Sequence, residues 1–167
     1  GSGYRIGLEM LRHVTDRLDS NPNDPGPFAS ETMAHCGARN APEFRQWLFD
    51  HERNHRKVAA LCEEALAWVD RPNAELAAAA RDLLDREIEP LARQVETLAH
   101  RLQLTAPTIA TAGGCFEGGY YSDRFRCLLE KTIAGCRVVS ARSPLDAGKA
   151  VLSRDSLWID GMDDQPG

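Results

Sequence analysis

Two glycine pairs, Gly113 with Gly114 and Gly118 with Gly119, punctuate residues 108–129, TIATAGGCFEGGYYSDRFRCLL. Glycine reaches dihedrals closed to other residues and lets a ligand come close to the main chain. Residues 108–112 are expected as a short buried strand running into the first pair. A helix is expected to open near Ser122 and Asp123, with Phe125, Leu128 and Leu129 on one face. A helix N-terminus offers amide donors and positive potential to an anion. Strand, glycine turn and helix together suggest a nucleotide or phosphate contact. The spacing is neither G-x-G-x-x-G nor a Walker loop, so a tight connection with no ligand reads equally well. Glu117, beside the turn, is placed either to accept from a ribose or to order the loop, against the plainer alternative of an exposed side chain. Tyr120 and Tyr121 suit stacking on a base or covering a sheet edge.

A second constellation is His51-Glu52-Arg53-Asn54-His55, a literal H-E-x-x-H. On a helix the two histidines lie four apart on one face and could hold zinc, with Glu52 as general base. Against this, Arg53, Asn54, Arg56 and Lys57 make the segment polar where such helices are buried, and no third histidine follows at metzincin spacing. A solvated helix face is the stronger reading, and a zinc hydrolase remains the alternative from another class. His13, His35 and His100 are scattered and read as structural. No Ser-His-Asp or Cys-His arrangement can be assembled.

The elements that must position these residues are mostly helical. Ile6, Leu8, Met10, Leu11, Val14 and Leu18 recur at helical spacing, and a loop is expected at 19–27, DSNPNDPGP. A short helix is expected over 30–36, stopping at Gly37. Asn40, Pro42 and Glu43 form a start signal as cap, first-turn proline and reach-back carboxylate, with Phe44, Trp47 and Leu48 inward. Residues 53–69 carry a stripe of Val58, Leu61, Cys62, Ala65 and Leu66. Asn73 caps the next run, 74–104, whose stripe is Leu76, Ala80, Leu83, Leu84, Ile88, Leu91, Val95, Leu98 and Leu102. Pro90, in its middle, predicts a kink or two abutting helices. After the glycine stretch come a strand at 137–141 and a helix opened by Ser143 and Pro144, running to about Ser153, then a tail at 154–167. The order is helices first, then β-α-β-α.

With 167 residues, 43% of them hydrophobic, and a net charge of −5, the chain suits a single globular domain. That charge argues against bulk attraction to nucleic acid or anionic membrane, and no apolar run reaches spanning length. Five cysteines without a C-x-x-C pair fit reduced thiols, hence a cytoplasmic location.

Three segments in order resemble the carboxyl-terminal part of the BadF/BadG/BcrA/BcrD-type ATPase family, which includes N-acetylglucosamine kinases of the actin-like sugar kinase superfamily. GSGYRIGLEMLRHVTDRLD at 1–19 resembles the family's G-S-G-Y-x-I-G and following helix. Residues 56–104, opening RKVAALCEEALAWVDRPNAELAAAARDLL, are similar to its helix pair and turn. TIATAGGCF at 108–116 resembles its apolar strand ending in G-G-V-F, and RVVSARSPLDAGKAVLSR at 137–154 its last strand and helix. The resemblance implies an α/β fold: a helix-rich part of a ribonuclease H-like lobe, with a long helical layer over a small sheet, covering 1–153. It implies ATP and Mg2+ as cofactors, Gly113, Gly114 and Gly118 on the adenosine side of a cleft, and Gly1, Ser2 and Gly3 near an amino sugar such as N-acetylglucosamine. The family's phosphate loops and catalytic aspartate have no counterpart in these residues. The chain alone is therefore expected to be inactive: a fragment, or a truncated homologue that pairs with a missing amino-terminal lobe or partner subunit. A homo-oligomer is expected from the open sheet edge. A non-catalytic regulatory module built on the same lobe is the closest rival.

Overall fold

The computed structural model describes residues 2–51, 55–117, 119–141 and 146, with the side chain of His51 outside that set. Two compact units divide the chain, Gly1–Leu91 and Ala92–Gly167.

The first unit is helical. α1 (Gly3–Ser20) begins where the Ser2 hydroxyl accepts a hydrogen bond from the Arg5 amide at 3.3 Å. Its buried stripe is Ile6, Met10, Leu11, Val14 and Leu18, whereas Leu8 is only half-buried. Gly7 belongs to that buried face because α1 and α4 form the most extensive helix pair there. A methyl group at Gly7 would stand 1.9 Å from the Val58 carbonyl oxygen, so only glycine permits this crossing.

α2 (Gly26–His35) starts earlier than its composition suggests. Pro27 occupies the first turn, where a missing N–H costs no helical bond, so a segment that looks like loop is helix instead. α3 (Ala41–His51) opens as expected, with Asn40 Oδ1 accepting from the Glu43 amide at 3.0 Å. The Glu43 carboxylate reaches back to the Arg39 amide at 2.9 Å. α4 (His55–Trp68) buries Val58, Leu61, Cys62 and Ala65, but Trp68 rather than Leu66 completes the stripe. The Trp68 indole meets Phe28 edge-on at 5.1 Å, an aromatic contact that outweighs one more turn of periodicity.

α5 (Ala74–Arg101) is capped by Asn73, which accepts from the Leu76 amide at 3.0 Å. Pro90 does not divide it. The proline sits at an exposed position, as does Arg86, whose carbonyl loses its donor, so water can serve that carbonyl without breaking the helix. Buried Leu76, Ala80, Leu83, Leu84 and Ile88 follow the expected stripe, but Leu98 and Leu102, farther along it, are exposed.

In the second unit, the end of α5 is followed by β1 (Thr108–Thr111), a single 3-10 turn (Gly114–Phe116), α6 (Gly119–Thr132) and β2 (Arg137–Ser140). The strands are parallel, Thr108 opposite Arg137 and Thr111 opposite Ser140, giving a β-α-β unit. β1 is half-buried rather than buried, since among the described residues it has a neighbour on one edge only. α6 begins at Gly119, three residues before the expected start, and its buried face is Tyr121, Ser122, Phe125 and Leu129. The molecule is therefore a helix-rich α/β protein with a small parallel sheet. The helix expected from Ser143, apart from helical Asp146, and the tail with Trp158 and Ile159 lie outside the described residues. Among the described residues, no helix is long and apolar enough to cross a membrane.

Candidate functional site

Parallel pairing brings the carboxyl ends of β1 and β2 side by side, and ligands of open parallel sheets bind outside such ends. The Ala141 amide donates to the Thr111 carbonyl at 2.8 Å, which carries the ladder just past β2. On the β1 side the chain turns at Gly113, whose φ of +108° and ψ of 159° suit glycine alone. The Gly113 carbonyl accepts from the Phe116 amide at 2.8 Å and the Gly114 carbonyl from the Glu117 amide at 3.2 Å. These bonds wind the 3-10 turn. Phe116 anchors it, its ring edge-on to both Tyr121 and Phe125 at 5.2 Å.

A cleft of about 410 Å3 opens beside this turn. Gly113, Phe116 and Glu117 line it from the turn, Ser122, Asp123 and Arg126 from α6, and Ser140 and Ala141 from the end of β2. Its size falls within the range of roughly 300–1,000 Å3 usual for small-molecule sites. Among the described residues, nothing beyond the adjoining chain lies within 4 Å of where a side chain would begin at Gly113, Gly114 or Gly119, so these residues leave the bend open. Asp123 and Arg126 approach to 3.6 Å at the exposed rim, a pair worth little in water. Among the described residues, the lining thus offers two carboxylates, a guanidinium, two hydroxyls and one aromatic ring.

The expected site residues are only partly brought together. Gly113 and Glu117 line the cleft, Gly114 starts the 3-10 turn beside it, and Gly118 lies outside the described residues. Tyr121 is fully buried under Phe116 and cannot stack on a base. Gly1 is outside the described residues. Ser2 is spent as the α1 cap, and Gly3 packs against α4, 3.4 Å from the Ala59 carbonyl oxygen to where its Cβ would be. Ser122, Asp123, Arg126 and Ser140 join the expected residues on the lining. The first three share the opening of α6, and only the pairing of TIAT with RVVS adds Ser140.

The other candidates gain no such setting. Residues 52–54 and the His51 side chain fall outside the described residues, while the His55 ring lies 4.5 Å from that of Tyr4. Among the described residues, no three His, Cys, Asp or Glu side chains are grouped to hold a metal ion. His35 faces Glu64 at 3.3 Å and His100 faces Glu96 at 4.0 Å, pairings of a structural kind. Burial pushes the Cys36 thiol up to about 12, which keeps it protonated and non-nucleophilic at neutral pH. A larger hollow of about 780 Å3 lies in the first unit between the ends of α1, α2 and α3. Among the described residues of its lining the ionisable group is Arg39, tied to Glu43 at 2.8 Å, so these residues gather no reactive set.

No protein-family model matches this chain, and no curated protein matches it.

Proposed function

We propose that this chain is the ATP-side lobe of a sugar kinase resembling the BadF/BadG/BcrA/BcrD-type family, acting on N-acetylglucosamine or a related amino sugar. Its β-α-β unit would then be part of a ribonuclease H-like lobe working in the cytoplasm. One observation carries the proposal: an open glycine bend beside a cleft, at the carboxyl ends of two parallel strands. Backbone around Gly113 and Gly114 would lie along the nucleoside, with Phe116 as the apolar wall and Glu117 within reach of ribose hydroxyls. Among the described residues, the lining sets two carboxylates, Glu117 and Asp123, against the one guanidinium of Arg126, a balance that suits that part of ATP better than its phosphates. Mg2+ would arrive with the phosphates rather than sit on a ligand set of this lobe. Phosphoryl transfer itself needs held phosphates, a base at the sugar hydroxyl and exclusion of water. A missing lobe or partner subunit would supply those groups, so the isolated chain binds without turnover.

The test is calorimetric titration of the chain with ATP and Mg2+, alongside Gly114→Val. Parent binding in the range of about 10 μM to 1 mM, weakened at least about tenfold in the variant, is expected. Absence of heat or spectral change in the parent up to millimolar ATP would remove the nucleotide site.

A further inference from the structure

The apolar face of α5 changes character along its length. Up to Leu84 the buried positions Leu76, Ala77, Ala80, Leu83 and Leu84 form a broad stripe, the kind that faces a globular core. Beyond Leu84 the large apolar residues are Ile88, Leu91, Val95, Leu98 and Leu102, at alternating steps of four and three. That is the narrow heptad seam of a coiled coil. Leu84, Leu91 and Leu98 fall on its d positions, and Ile88, Val95 and Leu102 on its a positions. β-Branched residues at a with leucine at d favour two parallel strands. Pro90 takes an outer, exposed position and leaves the seam whole.

Only the first part of this seam is covered. Leu84 and Ile88 are fully buried and Val95 is half-buried, whereas Leu98 and Leu102 are 56% and 59% exposed. The helix closes at Gln103, with φ +53°, and the Leu104 amide turns back to the Ala99 carbonyl at 3.0 Å. Leu104 is exposed as well. Scattered exposed leucines need no explanation, but leucines that continue a buried seam do.

The seam is its own complement. In a parallel pair a packs on a and d on d, while each g position faces e of the other strand. Here g is Gln94 and Arg101 and e is Ala92 and Ala99, so no like charges oppose across the seam. We propose that the end of α5 is a dimerisation face, which pairs in parallel and in register with the same segment of a second copy of this chain. About two heptads are free, fewer than the roughly three or four of a robust coiled coil, so the dimer is weak, with a Kd of about 10 to 500 μM. The pairing is independent of nucleotide binding at the cleft.

The experiment is sedimentation equilibrium of the full chain from about 5 μM to 1 mM, where a monomer–dimer equilibrium is expected. Leu102→Glu and Leu102→Lys each set like charges against one another across the two-fold axis. Each should weaken association more than about tenfold, with circular dichroism unchanged because Leu102 is exposed. Mixed in equal amounts, the two variants should recover association, since glutamate then faces lysine. A parent that stays monomeric throughout overturns the proposal, whether the face lies open or is covered by another part of the chain. Dimers retained by both single variants overturn the choice of face. Dimers lost in each variant and not recovered on mixing overturn the parallel, in-register pairing.

Discussion

His13, on α1, shows how one residue's surroundings set a measurable property of the molecule. It is half-buried, with its ring edge-on to Phe28 at 4.9 Å. Burial lowers its pKa below the ordinary 6.5, the Arg17 and Arg86 guanidiniums push the same way, and Asp16 and Asp82 pull back without reversing the shift. A histidine whose folded pKa lies below its unfolded one holds fewer protons when folded, so stability rises with pH across that window. The contribution of His13 is therefore complete above about pH 6.5 and is lost as the pH falls through the lower folded-state value. Thermal midpoints measured between about pH 7.5 and 5 should fall on the acid side, and His13→Gln should flatten part of that slope. Superimposable slopes for parent and variant would show that His13 does not titrate in this way. At the same scale, the glycine bend was legible from TIATAGGCF because few residues besides glycine end a strand so abruptly. Ser122 was not, because a serine near an expected helix start reads first as a cap.

Between elements, the α1–α4 crossing depends on the absence of one side chain. Helix propensity alone would favour Gly7→Ala by about 1 kcal/mol. The added methyl would meet the Val58 carbonyl oxygen at 1.9 Å, and that is main chain, which cannot swing aside as a rotamer does. Overpacking of this kind costs about 3 kcal/mol or more, so the packing term wins and Gly7→Ala should lose at least about 2 kcal/mol. Urea denaturation would show this as a lower midpoint with little change in slope, and a neutral or stabilising result would mean that the crossing is looser than described. Most elements were readable because their signals are local. Asn40 and Asn73 cap where their side chains predict, and Gly37 follows the end of α2. The failures share a cause in tertiary contact. Trp68 displaced Leu66 from the buried stripe by meeting Phe28, and α6 started early because Tyr121 is buried against Phe116. Phe28 lies far outside any local window around Trp68, and although Phe116 is close to Tyr121 in the chain, nothing in the sequence says that the two rings meet. The cleft itself depends on a relation equally hidden from any local window, the pairing of β1 with β2 across the whole of α6.

For the whole molecule, the question is what binding without chemistry would look like. The described residues of the cleft are a glycine bend, a buried serine, an aromatic ring and rim charges. Phosphoryl transfer draws its rate from positioning and from charge stabilisation around the transferred group, and under the function proposed above the groups for both belong to a missing lobe or partner subunit. The chain on its own should therefore bind ATP yet release no ADP above background when N-acetylglucosamine and Mg2+ are present. A coupled ADP assay run at saturating nucleotide makes this decisive, because occupancy is then not the limiting factor. ADP production that scales with chain concentration and disappears in Gly114→Val would show that these residues hold the catalytic groups after all. Silence in that assay, together with saturable ATP binding that Gly114→Val weakens, is the result that a recognition lobe requires. A second polypeptide that restores turnover when mixed with the chain would then identify where the phosphate-holding groups reside.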